Sequence, residues 1–402
     1  MSRFRRAALF AVLLALVPSV AVACMWDYDT LKMERQRFPS ALELITGKFL
    51  RHSPEFYEWR VHDRTARLAA DPHNPALTDD LAVAFDKLGR HEKAIELMLA
   101  ADKRQPGRYE TLSNLATFQF HAGRLEESLA SVEAALRINP DAHFGREKYQ
   151  KFLTQYVISR RVDGKIKLPL ASVSAHGDPT SGNPLLALVG VEKTFAKFLS
   201  NTLRPDEPLP EGRPTTDAAA IKGVLGMMRF ASHDSPVLLE ALGGLLVDER
   251  GVQDDAKRLA ARAYLKAAYE AKDDVARRDY RLMATCSLSM QTTSPDKHDQ
   301  ISLTVIEAEF QKELAEAKEW YSKLREKELG WIRDGLNADA EFDKLYAAEP
   351  TVKGVGEGWH IPLFIKEIVA ALVALVVVLA LLVFVARRVV RAFHRARASR
   401  AG

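Results

Sequence analysis

The sequence lacks the residues and motifs on which several large classes of enzyme depend. Its 402 residues include two cysteines, Cys24 and Cys286, which do not imply a disulfide framework. It has no phosphate-binding G-x-x-x-x-G-K loop, no C-x-x-C or H-E-x-x-H metal motif and no G-x-S-x-G nucleophile elbow. The eleven histidines are scattered without metal-ligand spacing. We therefore predict a protein that is not an enzyme, with no cofactor and no metal site.

Positive and negative residues nearly balance except at the C-terminal end of the chain, with 57 Lys and Arg against 53 Asp and Glu overall. The formal net charge is +4, and the last sixteen residues, 387–402, contain six arginines and no acidic residue. The rest of the chain is therefore slightly acidic and lacks the basic surface that nucleic-acid binding requires. We expect no nucleic-acid partner.

The first 23 residues have the pattern of an export signal. Arginines precede an apolar run at 7–17, and small residues at 21–23 offer a cleavage site. We predict a signal peptide over 1–23. Cys24 would then be the first mature residue or, alternatively, a site of lipidation. Retention of the segment as an uncleaved anchor is a third interpretation.

A run of nineteen residues without a charge or a proline occupies 368–386. This length suits the apolar core of a bilayer. Because arginine-rich flanks stay in the cytoplasm, we predict a transmembrane helix over 368–386 and a cytoplasmic tail over 387–402 that contacts anionic lipid. Both signals place the large domain on the extracytoplasmic, periplasmic side of the cytoplasmic membrane.

One pattern occurs twice between residues 75 and 142, in copies that span 75–108 and 109–142. The matching pairs, all 34 residues apart, are Leu81 and Leu115, Ala82 and Ala116, Gly89 and Gly123, Arg90 and Arg124, Glu92 and Glu126, Ala101 and Ala135, and Pro106 and Pro140. An offset of this size is typical of a helical hairpin that must stack on neighbours to bury its apolar faces.

These positions resemble the signature of the tetratricopeptide repeat (TPR). Two positions depart from it, since Ser128 replaces the usual alanine and Gln119 replaces the usual aromatic residue. We expect Phe118 or Phe120 to take over the aromatic role. The resemblance implies an all-α array of antiparallel helical hairpins, an α-solenoid, that binds a protein or peptide.

The array is expected to cover 24–162, and a second helical-repeat region is expected over 217–300. Ala41–Ala70 is interpreted as an earlier helix pair, although Arg60 and Arg67 stand where the repeat has alanines. Cys286, in the second region, is expected to be a small buried apolar residue. A redox or catalytic role for Cys24 or Cys286 is the enzymatic alternative.

Glycine and proline punctuate 163–216, which we predict to be a linker that contains one helix, over Pro184–Leu203. Lys165–Val173 alternates like a strand. No partner strand is evident in the sequence, so an extended loop is favoured there.

A long amphipathic helix is predicted within 301–350. Apolar residues recur over Ile301–Leu336 at steps of three or four, which makes a heptad-like seam. The seam can pack on the end of the array. Alternatively, it can form a coiled coil that makes a homodimer of a structural or signalling component.

In TPR proteins the first helix of each hairpin lines the concave groove. The predicted partner-binding groove residues are Asp79, Val83, Asp86, Lys87, Ser113, Asn114, Thr117, Phe120 and His121. Capture of a carboxylate would need several cations there, and only Lys87 qualifies. We therefore expect a partner segment of basic and apolar character, bound by a non-catalytic scaffold or adaptor in the cell envelope.

Overall fold

The computed structural model describes residues 39–140, 146–176, 188–203, 218–248, 254–289 and 302–346. These residues are mostly helical, with fourteen helices and one two-stranded sheet, so the predicted all-α class is confirmed. The helices are α1 (Ala41–Thr46), α2 (Pro54–Ala70), α3 (Pro75–Lys87), α4 (His91–Arg104), α5 (Tyr109–His121), α6 (Leu125–Ile138), α7 (Arg146–Ser159), α8 (Phe195–Leu203), α9 (Ala218–Phe230), α10 (Pro236–Asp248), α11 (Asp254–Glu270), α12 (Asp274–Ser289), α13 (Leu303–Arg333) and α14 (Ala338–Asp343). The strands are β1 (Ser172–His176) and β2 (Leu188–Glu192).

Several predictions from the sequence lie outside the described residues. They are the signal peptide, the candidate lipidation site Cys24, the transmembrane segment 368–386 and the basic tail 387–402. Among the residues that the structure does describe, no helix combines the length and the apolarity needed to cross a bilayer.

The two copies of the sequence repeat fold as two helical hairpins, α3–α4 and α5–α6. Corresponding helices begin 34 residues apart, at Pro75 and Tyr109 and at His91 and Leu125. Each hairpin turns at a glycine of positive φ, 71° at Gly89 and 75° at Gly123, a conformation in which a Cβ would be strained. The two turns therefore have the same local geometry.

Both departures from the repeat signature have a structural reason. The Ser128 side chain is buried where α5 and α6 cross, and its hydroxyl donates to the Ala116 carbonyl at 2.6 Å. Serine therefore fits the crossing because its hydroxyl is satisfied. Gln119 is also buried and is hydrogen bonded to Ser131. The neighbouring Phe118 is fully buried in the apolar core of the hairpins and supplies the aromatic side chain.

The α2 helix makes the same ion pair with the first hairpin as the first hairpin makes with the second. Glu58 on α2 pairs with Arg90 at the first turn, and Glu92 pairs with Arg124 at the second turn. Both pairs are exposed and recur at the 34-residue offset. The α1 helix does not complete a hairpin with α2. It ends after six residues at Gly47 (φ 79°), and it packs chiefly against α9, α11 and α13.

The segment after α7 contains a β-hairpin, which the sequence analysis did not predict. Strand β1 pairs antiparallel with β2, from Ser172 opposite Glu192 to His176 opposite Leu188. The helix start expected at Pro184 was therefore wrong, because the partner strand lies within Pro184–Leu203 and the helix begins only at Phe195. The extended loop expected over Lys165–Val173 was wrong only at its end, where Ser172 and Val173 belong to β1.

A buried carboxylate fixes the chain that leads into β1. Glu240 on α10 accepts hydrogen bonds from the amides of Leu170 (2.9 Å) and Ala171 (2.6 Å) and from the Tyr280 hydroxyl (2.8 Å). Burial raises the pKa of Glu240 above its ordinary value. These donors satisfy the carboxylate, so its role is to hold three segments together.

Helices α9 to α12 form the larger part of the core with α1 and α7. The α10 and α11 helices approach closely at Gly243, where an added Cβ would lie 2.7 Å from the ring of Tyr264. Cys286 on α12 is buried, and burial raises the pKa of its thiol. The prediction of a small buried residue at 286 is therefore confirmed.

The long helix α13 uses its apolar seam within the chain. Ile306 and Phe310 enter the main core, and Leu324 enters a second apolar cluster with Phe342 of α14. The seam contacts α1, α2, α11 and α12. A coiled-coil dimer through this seam would have to displace those contacts.

Buried ion pairs join α14, near the end of the described residues, to α2 and α3. Asp339 on α14 accepts from Arg60 (2.7 Å) and Arg64 (2.6 Å) of α2, and Arg64 also donates to Asp80 of α3 (2.8 Å). Arg60 stands where the repeat has alanine. It binds Asp339 of α14, the last helix of the described residues. Nearby, Glu328 on α13 accepts from the Ser53 amide at 2.9 Å.

The Asp339 pairs give a test of this closure. We expect Asp339→Asn to lower the free energy of unfolding of the full-length protein by about 3–5 kcal/mol, because the buried guanidinium groups of Arg60 and Arg64 lose the charge of Asp339, although Arg64 keeps Asp80. Urea denaturation in detergent measures the change. The control is Asp334→Asn, whose partner Arg333 is exposed, and its effect should stay below about 0.5 kcal/mol. Equal losses in the two variants would contradict the role assigned to Asp339.

Candidate functional site

A cavity of about 710 Å³ lies where the two repeat hairpins face the C-terminal half of the fold. One wall comes from the ends of α3 and α5 and the start of α4. The other wall comes from α7, α9, the α9–α10 connection and α10. This volume lies in the range of cavities that take small ligands or a few side chains.

The floor of the cavity is apolar. Phe120, Leu153, Met227 and Leu238 line it from four different helices. Leu153, Met227 and Leu238 are nearly buried members of the main core, and Phe120 packs against that core with part of its ring still exposed. The floor is thus the part of the main core that borders the cavity.

One wall carries a carboxylate between two imidazoles. The Asp86 carboxylate lies 2.7 Å from His91 Nδ1 and 2.8 Å from His121 Nδ1. Asp86 belongs to the last turn of α3, His91 opens α4 and His121 ends α5. The tight turn at Gly89 reverses the chain direction and places His91 beside Asp86. Asp86 is buried, whereas both imidazoles are partly exposed at the cavity.

Burial and charge oppose each other at Asp86. Burial alone would raise the pKa of this carboxyl group, but His121 and His91 outweigh that effect and hold the pKa well below its usual range. The hydrogen bond with Asp86 in turn raises the pKa of His91 above its ordinary value. Asp86 is therefore ionised in the folded protein.

Lys87 and Asp234 also line the cavity, and they differ in how far contacts within the fold occupy their charges. Lys87 donates to the carbonyls of Phe230 (2.7 Å) and Ala231 (2.6 Å), so its charge serves the C-terminal end of α9. Asp234, in the α9–α10 connection, lies 3.0 Å from Lys266, and 45 % of its side chain is exposed. Asp234 is therefore the acidic group that solvent reaches at the cavity.

The structure brings together five of the nine predicted groove residues. Asp86, Lys87, Thr117, Phe120 and His121 all line the cavity. Other lining residues, among them His91 and Asp234, are not among the predicted groove residues. A rule that considers only the first helix of each hairpin cannot find them, since His91 starts a second helix and Asp234 lies outside the two clear repeats.

The other four predicted groove residues are buried in helix packing. Asp79 pairs with Arg108 through both carboxylate oxygens, at 2.6 and 2.9 Å. Val83 belongs to the core of the hairpins. Ser113 lies 3.5 Å from the Glu147 carboxylate, and the Asn114 amide lies 3.9 Å from the Met98 sulfur. In the described fold these four side chains hold neighbouring helices together.

No protein-family model, curated protein or solved structure matches this chain. The function is therefore inferred from the cavity and from the sequence.

His233, next to Asp234, gives a pH-dependent prediction. Burial lowers the pKa of His233 to about 3, because a charged imidazole would lose its hydration. A histidine in an unfolded chain titrates near 6.5. Between these two values the unfolded state binds a proton that the folded state does not, so His233 makes the protein less stable as the pH falls from about 6.5 towards 3.

We expect His233→Gln to flatten this dependence. Relative to the variant, the wild type should lose about 1.4 kcal/mol of unfolding free energy per pH unit within that window. Urea denaturation at several pH values measures the slope. The control variant His62→Gln, at an exposed position, should leave the slope unchanged. Parallel curves for wild type and His233→Gln would show that His233 does not stay neutral.

Proposed function

We propose that this chain is a non-catalytic TPR-type scaffold or adaptor whose cavity binds a short segment of a partner protein. The observation that carries the proposal is the convergence of five predicted groove residues on one cavity, which has an apolar floor and the half-exposed carboxylate of Asp234 at its wall. The 34-residue repeat supports a binding scaffold, since such arrays expose concave binding surfaces.

The chemistry of the cavity favours a segment of mixed character. Apolar side chains of the partner would cover Phe120 and Leu153, and a basic side chain would meet the half-exposed Asp234 carboxylate. Lys87 is directed at backbone carbonyls, so it offers little attraction for a carboxylate. A volume of about 710 Å³ suits a few side chains and excludes a folded domain.

Site-specific photo-crosslinking tests this proposal. A photoreactive phenylalanine analogue would replace Phe120 or Lys272, both at the cavity, in the full-length chain in living cells. The control position is Leu99 on α4, an exposed residue that does not line the cavity. We expect one protein adduct from both cavity positions and none from Leu99.

A second variant links the adduct to the proposed chemistry. Asp234→Asn should weaken the adduct formed from Lys272, because it removes the acidic group that meets the partner. Absence of any adduct, or the same adducts from all three positions, would contradict binding in the cavity.

We also propose that the described domain is periplasmic and that the chain is held in the cytoplasmic membrane by 368–386. The support is the signal peptide pattern at 1–23 and the arginine-rich tail at 387–402. No interaction with nucleic acid is part of this proposal.

Thiol labelling tests the topology. Single cysteines at Lys272 and at Ser399 would be introduced after replacement of Cys24 and Cys286. In intact spheroplasts, a membrane-impermeant maleimide should label the Lys272→Cys variant and leave the Ser399→Cys variant unlabelled until lysis. Equal labelling of both variants before lysis would exclude the proposed orientation.

A further inference from the structure

The cluster of Asp86, His91 and His121 has the composition of a transition-metal site. One donor atom from each side chain lies within 4.8 Å of the other two. Two imidazole nitrogens and one carboxylate oxygen form a donor set that zinc accepts, whereas calcium and magnesium prefer oxygen ligands alone. We propose that these three side chains bind one Zn²⁺ ion at the wall of the cavity. This inference goes beyond the proposed function and does not depend on it.

The distances suit an ion after a small adjustment. Zinc bonds to nitrogen and oxygen ligands of about 2.0–2.2 Å place neighbouring donors of a tetrahedral site about 3.3 Å apart. The imidazoles lie at 2.7 and 2.8 Å from the Asp86 carboxylate. Measured from the single oxygen Oδ1 of Asp86, the distances are 2.7 Å to His91 Nδ1 and 3.1 Å to His121 Nδ1, so His91 needs to withdraw by about 0.6 Å and His121 by about 0.2 Å. Both rings are partly exposed at the cavity and have room to do so.

The protein holds the three ligands from different elements. Asp86 is fixed in the buried last turn of α3, and the Gly89 turn places His91 beside it. His121 comes from α5, which packs against α3. Three protein ligands leave the fourth position of a tetrahedral ion open. Because all three ligands line the cavity, that position faces it and can take a water molecule or a donor from a bound ligand.

The repeat itself does not require this cluster. The residue 34 positions after Asp86 is Phe120, and the residue 34 positions after His91 is Leu125. The second hairpin thus forms the same turn with apolar side chains at both places. A carboxylate and a histidine at these positions of the first hairpin are therefore an addition to the scaffold, and metal binding accounts for them.

Titration with metal alone tests the proposal. The full-length protein, purified in detergent without a histidine tag and stripped with a chelator, would be titrated with Co²⁺ and then with Zn²⁺. We expect one equivalent of Co²⁺ to give the visible absorption of a four-coordinate site, which Zn²⁺ then abolishes. Zn²⁺ should also raise the melting temperature of the wild type.

Variants separate the proposed site from adventitious binding. His121→Gln and Asp86→Asn should each reduce Zn²⁺ affinity at least tenfold, while His62→Gln, at an exposed position outside the cluster, should have no effect. Circular dichroism of each variant checks that it is folded. Should Asp86→Asn fail to fold, His121→Gln alone decides. A wild type that binds no stoichiometric Zn²⁺, or equal affinities in His121→Gln and His62→Gln, would overturn the proposal.

Discussion

The described fold depends on the buried ion pairs between Asp339 and the two arginines of α2. Guanidinium groups lose several kcal/mol of hydration when they are buried, and only a well-placed anion offsets this cost. Arg60 also lies 4.5 Å from the centre of the Phe56 ring, a cation–π contact that still leaves its hydrogen-bond donors in need of an acceptor. The acceptor comes from a helix about 280 positions away in the sequence. The contact between α2 and α14 therefore stabilises the described domain, and its loss would take the Asp339 carboxylate away from Arg60 and Arg64.

The fold has a cavity and not an open groove because α7, α9 and α10 lie opposite the ends of α3 and α5. Lys87 adds a second link, because its ammonium group crosses from α3 to the carbonyls that end α9. The face of the hairpins that carries Phe120 is partly covered by α9 and α10, and the cavity is the volume that remains open there. A ligand there contacts both halves of the domain, so its binding would strengthen the closure.

The sequence predicted the elements that a local pattern specifies. The 34-residue offset specified α3 to α6 and their turns, and the seam over Ile301–Leu336 specified α13. The β-hairpin was missed because its strands are five residues long and β2 lies in a segment whose pattern favoured a helix. Five of the nine predicted groove residues line the cavity, and the other four are buried in helix packing. The pattern of first-helix positions cannot show that Asp79, Ser113 and Asn114 are covered by other side chains, since the partners Arg108, Glu147 and Met98 lie outside α3 and α5.

The departures from the repeat pattern carry more information about this protein than the matches do. The matches, such as Gly89 and Gly123, describe a hairpin that any array of this type could have. Arg60 departs from the pattern and turns out to bind Asp339. Asp86 also departs from the pattern, because the corresponding residue of the second hairpin is Phe120. Unlike Arg60, Asp86 does not contact an element that is distant in the sequence. Its two partners belong to the hairpins themselves and face the cavity. A buried charge that the scaffold does not require, at the edge of a cavity, is better explained by what the cavity binds than by how the chain folds.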